Sequence, residues 1–228
     1  MASIVPPPRY FNANGASARH DAEGPVRRLR PIEASKPVTG GRACMHPRWI
    51  LALAMASCTA AATPAAADQH DPRLDALLAA LPTAPPGRAR QIEHQVWVIW
   101  ANSGNPAIDS LMAEGTARLD EGNYDAALRL FDRVVDRAPG FAEGWNKRAT
   151  TLYAMGLFQK SVQAIDKVLA LEPRHFGALS GLGLCDMRLG KDKEALAAFQ
   201  RAAAIDPNLP GVQARIAALK QQLIRDSI

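Results

Sequence analysis

Prolines stand at positions 139, 173 and 207, and the two equal intervals of 34 residues constrain this chain more than any other feature. A fixed period of this length marks an array of short units, none of which buries its apolar face without the next. The windows 108–141, 142–175 and 176–209 therefore align residue for residue. Each holds two stretches whose apolar side chains recur at helical spacing. The fold class is read as all-α, a stack of helix pairs.

The aligned windows repeat side-chain sizes as well as apolarity. In the first helix of each, Gly115, Ala149 and Gly183 fall in register; in the second, Ala127, Ser161 and Ala195, then Val134, Val168 and Ala202. Small side chains at helix crossings let two backbones approach, and larger ones overpack them. Gly122, Gly156 and Gly190 lie between the helices, where a chain leaving a helix takes the left-handed conformation. Leu111, Trp145 and Leu179 on the first helices, with Phe131, Ile165 and Phe199 on the second, fill the inward positions. The prolines stop each second helix.

This pattern resembles the tetratricopeptide repeat, in three copies over about 100 residues. The resemblance implies an α-solenoid: antiparallel helix pairs stacked into a right-handed superhelix with a concave binding surface. One departure stands out. Leu152 in the middle window has the family's usual aromatic or leucine, whereas Arg118 and Asp186 replace it in the outer two. Downstream, Val212, Ile216, Leu219 and Leu223 predict a capping helix within 210–228. Upstream, residues 72–81 and 87–100 read as two helices around Ala84-Pro85-Pro86-Gly87, and 68–107 is expected to be an N-terminal cap or degenerate repeat.

The resemblance places partner binding on the concave face, which first helices line. The positions that carry over are Asp109, Met112 and Thr116 from the first window, Glu143, Asn146, Thr150 and Tyr153 from the second, and Ser180, Leu184 and Arg188 from the third. The alternative is that these are ordinary solvated residues of surface helices. Family members that grip a carboxylate terminus use Lys, Asn and Arg there; the corresponding Met112, Thr116, Lys147, Gly177 and Gly181 include one basic residue, which argues against that chemistry. Trp97 and Trp100, one helical turn apart, are read as core in preference to a stacking platform. His94 and His175 have no second ligand nearby in sequence, so no metal is expected. Cys185 is read as a small apolar helix residue, and Glu114 with Arg148 as a pair across neighbouring helices.

The formal net charge of +5 invites a nucleic-acid reading, but its location removes it. Residues 1–67 hold 8 Lys or Arg against 3 Asp or Glu, and residues 68–228 hold 19 of each. A repeat array that bound phosphates would itself carry the basic excess. Within the first 67 residues, Met45-His46-Pro47-Arg48 precedes the apolar run 49–56, and small residues end in Ala65-Ala66-Ala67. That order predicts a secretory signal over 45–67, with Met45 as the start, residues 1–44 as a disordered or misassigned extension, and a mature chain from near Asp68. Lipid attachment at Cys58, a retained anchor at 49–67 and an organellar transit peptide are the alternatives.

Residues 68–228 contain no Gly-rich phosphate loop, nucleophile elbow or metal-spaced His and Cys set, and Asp120 and Glu121 stand where a helix ends. The chain is expected to be no enzyme, to use no cofactor, and to bind a protein or peptide partner in the periplasm or outside the cell, without nucleic acid or membrane insertion after cleavage. The role expected is a scaffold or adaptor of the cell envelope. A chaperone-like or regulatory subunit of an envelope assembly pathway, and a structural spacer, are the alternatives.

Overall fold

The structure, a computed structural model, describes residues 71–227, which belong to one compact unit. The signal expected at 45–67 and the extension before it lie outside the described residues. Among the described residues there are nine α-helices: α1 Arg73–Ala80, α2 Pro86–Ala101, α3 Pro106–Asp120, α4 Tyr124–Arg137, α5 Ala142–Ala154, α6 Phe158–Leu171, α7 Phe176–Arg188, α8 Asp192–Ile205 and α9 Val212–Arg225. A single 3-10 turn, Leu81–Thr83, joins the first two. None of these helices is long and apolar enough to cross a membrane.

Helices α3 to α8 form three antiparallel pairs, α3/α4, α5/α6 and α7/α8, and each pair packs on the next. The turn inside each pair is the same device three times. Gly122, Gly156 and Gly190 have φ of +74°, +75° and +71°, the left-handed region that costs glycine little. The residue after each glycine then donates its backbone N–H to a carbonyl five residues back: Asn123 to Arg118, Leu157 to Leu152 and Lys191 to Asp186, all at 2.9 Å.

Between the helices of each pair, a missing side chain makes room for a ring or branch. A Cβ on Gly115 would stand 2.7 Å from Phe131 Cε1, and one on Gly183 would stand 2.8 Å from three ring carbons of Phe199. The middle pair has Ala149 at that position and the smaller Ile165 opposite, both fully buried. Volume is thus conserved at the crossing while its distribution changes, which cores tolerate. Ser161 fits this scheme by donating its hydroxyl to the Ala149 carbonyl at 2.8 Å, and Cys185 donates its thiol to Ser161 Oγ at 3.3 Å. Burial pushes the Cys185 thiol up to about 11, so it stays protonated, a small packing group that ties α7 to α6.

Several expectations need correction. Trp145 packs on the core of the middle pair but is only half-buried, because its indole N–H reaches back to the Pro139 carbonyl at 2.9 Å and covers the preceding turn. Arg148 pairs with Asp132 of α4 at 2.7 Å, so the ion pair runs between α5 and α4 and does not involve Glu114. Arg118 turns outward to Glu121 at 2.9 Å. Asp186 stays buried, and burial pushes its carboxyl above the usual range, with Lys191 opposing and Glu194 and Asp166 adding to the shift.

At the C-terminal end, Val212, Ile216 and Leu219 of α9 close a cluster with Leu184, Ala195 and Phe199. The N-terminal helices do not sit as a further pair stacked ahead of α3. Outside their own hairpin they pack on α5, on the start of α7 and on the end of α8, burying Leu74, Leu78, Leu81, Ile92, Val96, Trp97 and Trp100 with Phe176, against Ile205 and Leu209. Their apolar residues are concentrated on one face that fits this surface, and the aromatic residues dominate it.

The buried carboxyl of Asp186 generates a test. Asp186→Leu restores the side-chain type of the middle pair and removes a desolvated charge, so it should raise the unfolding free energy by about 1–2 kcal/mol in chemical denaturation. A loss of stability would show that Asp186 makes a compensating bond.

Candidate functional site

The face built by α3, α5 and α7 is divided into a covered and an uncovered part. The covered part begins at His175, which is fully buried at the N-terminus of α7. Its Nδ1 accepts the Ala178 backbone N–H at 3.1 Å, so the ring proton resides on Nε2. From there it donates to Glu143 Oε2 of α5 at 3.3 Å. Glu143 Oε2 also accepts from Asn146 Nδ2 at 2.9 Å, and Oε1 stands 3.8 Å from Lys147 Nζ. Glu143, Asn146 and Lys147 are 2%, 4% and 6% exposed, so the Glu143 carboxyl gathers the His175 ring, the Asn146 amide N–H and the Lys147 side chain around it below the surface.

Above this network stand the two indoles of α2. Trp100 stacks flat on His175, with centroids 4.1 Å apart and planes 10° from parallel. Trp97 meets Trp100, His175 and Phe176 edge-on, each at 5.3 Å. Gly177 is what admits it, since a Cβ there would lie 2.7 Å from the Trp97 ring. The reading of both tryptophans as core is right in burial, and their burial partner is the face itself. An ion pair from Asp75 of α1 to Arg174, 2.8 Å long, adds a rim contact of the kind that contributes little when exposed.

The ten residues expected to line a groove are thus separated. Asp109 is half-buried and accepts from the Ser103 hydroxyl at 2.6 Å and its backbone N–H at 3.0 Å, fixing the link between α2 and α3. Met112 lies in the core between α3 and α4, and Leu184 packs under α9; neither lines an open groove. Glu143 and Asn146 belong to the buried network. Thr116, Thr150, Tyr153 and Ser180 are half-buried and Arg188 is exposed, so these five remain at the surface. Thr150 donates its hydroxyl to the Asn146 carbonyl at 2.9 Å.

Near the turn end of α5 and α7 an aromatic and cationic cluster lies uncovered. Tyr153 meets Phe158 edge-on at 5.4 Å, and the Arg188 guanidinium stands 4.4 Å from the Phe158 centroid, a cation–π distance. Leu157 and Met187 beside them are 37% and 39% exposed. Sequence reasoning missed Phe158, Leu157 and Met187, because they flank the turns and fall outside the positions carried over by the resemblance.

The hairpin also brings like charges together. Burial raises the Glu93 carboxyl of α2 first, and the nearby Asp206 raises it further, while a hydrogen bond with Trp97 and the charge of His94 oppose the rise. Burial raises Asp206 itself. A carboxyl raised in the folded state contributes stability at acidic pH that is lost as pH rises through the raised value. Glu93→Gln should therefore raise the thermal midpoint by roughly 1–2 °C at pH 7, and the advantage should close as the pH is lowered towards 4. A midpoint lowered at pH 7 would show that the carboxylate is net favourable where it stands.

The tetratricopeptide repeat family model matches residues 112–154 and 146–210. A TPR repeat-containing protein of Rhizobium etli is 36% identical over 152 residues, covering 66% of this chain and 74% of that protein. The small glutamine-rich tetratricopeptide repeat-containing protein 2 of Mycosarcoma maydis is 24% identical, and the match spans 34% of its length, about a third of that longer chain. Among solved structures, the Sgt2 TPR domain from Aspergillus fumigatus aligns with a TM-score of 0.52 at 22% identity, over 54% of this chain and 83% of that one. The first TPR of Spaghetti (RPAP3), bound to an HSP90 peptide, aligns with a TM-score of 0.50 at 21% identity, over 51% and 93%. Helix pairs, left-handed glycine turns and these likenesses agree, and the chain belongs to the tetratricopeptide repeat family.

Proposed function

We propose that this protein is an interaction scaffold or adaptor of the cell envelope that takes a partner segment at the uncovered end of the α3, α5 and α7 face. Tetratricopeptide repeats are interaction modules, and the related Spaghetti domain holds a peptide of HSP90. The observation that carries the reading here is the cluster of Tyr153, Phe158 and Arg188 with exposed Leu157 and Met187. Half-buried aromatic side chains grouped with an exposed arginine in this way are enriched where proteins bind. The cluster suits a segment that offers an apolar side chain next to an acidic one. Capture of a terminal carboxylate by the covered region is disfavoured, since its one basic residue, Lys147, is buried beside Glu143.

Catalysis has no part in this reading, and the envelope setting rests on the order of charged, apolar and small residues over 45–67. Sequencing the N-terminus of the protein recovered from the periplasm should give a start near Asp68; a mature chain beginning before Met45 would overturn export by this signal. For binding, affinity capture from the envelope with the wild-type chain should return a specific protein. The double variant Tyr153→Ala, Arg188→Glu should recover at least about tenfold less of it, equivalent to about 1.4 kcal/mol, with helicity unchanged by circular dichroism. Equal recovery by the double variant would reject this surface, and absence of any specific partner would favour a spacer.

A further inference from the structure

We infer that the start of α7 and the facing turn of α5 form a receptor for an amphipathic helix with two aromatic side chains three residues apart, and that α2 is its resident, displaceable occupant. The inference rests on the scaffold reading for the existence of a partner, and it extends that reading from the uncovered end of the face to the covered one.

Three observations carry it. The first is a receiving surface organised by the repeats themselves. His175 is oriented by the Ala178 N–H and by Glu143, both of which belong to helices of the repeat array, and Gly177 leaves the slot that the Trp97 ring fills. The surface therefore offers a flat ring for one aromatic and a recess for the next, at the spacing of one helical turn.

The second is attachment by a short tether. Residues 102–105 between α2 and α3 are non-helical, and Gly104 has φ of +70°. The tether is latched by the two bonds from Ser103 to Asp109. Positive φ at a glycine lets the tether turn without strain, as a hinge requires.

The third is imperfect accommodation of the occupant. Trp100 Nε1 and Asn146 Oδ1 are buried and find no hydrogen-bond partner among the described residues. Glu93 and Asp206 are both desolvated, Asp206 being 1% exposed, and the Asp206 charge adds to the rise of the Glu93 carboxyl. Each of these terms is a cost that α2 bears only while docked. A rival helix with a neutral or basic residue four positions before its first aromatic escapes the charge repulsion, and so competes at an advantage. The partner chemistry assigned to this surface is thus an aromatic amphipathic helix with a neutral or cationic flank, distinct from the acidic apolar segment suited to the Tyr153 and Arg188 cluster.

The test uses the full chain and a fluorescent synthetic peptide of residues 86–101 carrying Glu93→Lys. The peptide should bind a latch-broken chain, Ser103→Ala with Asp109→Ala, at least about tenfold more tightly than the wild type. A peptide with both tryptophans replaced by alanine should lose that binding. In hydrogen exchange, saturating peptide should expose residues 86–101 of the chain while α5 to α8 keep their protection. A chain variant with Gly177→Leu, which fills the indole slot, should show the same selective exposure of α2 without peptide and should fail to bind it. The inference is overturned if neither chain binds the peptide, if the alanine peptide binds equally, or if α2 loses protection only together with α5 to α8. These readouts need no envelope partner, whereas the scaffold reading stands or falls on capture through Tyr153 and Arg188, so each failure is recognised separately.

Discussion

The close crossing of two helices over a missing side chain is the interaction on which the rest of the array depends. Gly115 under Phe131 and Gly183 under Phe199 bring the backbones of a pair together, and Ala149 with the smaller Ile165 reaches the same end with a methyl on one side and a branch in place of the ring on the other. Once that distance is set, the left-handed glycine turn has one register in which to return the chain, and the next pair meets a surface of defined shape. Gly144 repeats the device between pairs, since a Cβ there would stand 2.7 Å from Val134 Cγ1. Dense interiors transmit such constraints because they have little free volume to absorb a misfit.

A single imidazole converts this stack into a site. His175 caps α7, bonds to Glu143 of α5 and lies flat under Trp100 of α2, so one ring is shared by three elements that are far apart in sequence. The consequence for the α3, α5 and α7 face is a division of labour. Its helix-start end is a buried polar network roofed by indoles, and its turn end carries an uncovered arginine and aromatic cluster. Both ends present aromatic rings, but the covered one is built around complementary stacking and the open one around a cation over a ring.

The features legible in the sequence are those written locally and repeated. The 34-residue period, the small residues at the crossings, the glycine turns and the C-terminal amphipathic stretch each depend on residues close in the chain, and all appear in the helices as described. The position of the N-terminal hairpin was not legible, because it is fixed by Trp97 and Trp100 meeting residues some 75 positions later, and no period announces such a contact. The same gap misplaced the site. Glu143 and Asn146 stand at positions expected to line an open groove, and here a network through His175 buries them; Met112 and Leu184 are drawn into cores. A signal was present in Gly177 and Gly181, two small residues on one face of α7 where a solvated helix has no need of them. Read with a nearby pair of tryptophans, they indicate a face prepared for an occupant.

The ion pair from Asp75 to Arg174 joins residues 99 positions apart, and the hairpin's apolar partners extend to Leu209. In a linear array each unit needs only its neighbours, and assembly proceeds from any point along it. Here the first helices among the described residues are the ones whose resting place is built from residues near the far end of the array. The hairpin must wait with its tryptophans uncovered until α5, α7 and the end of α8 are in place, which joins the two ends of an otherwise sequential folding order into a closing step.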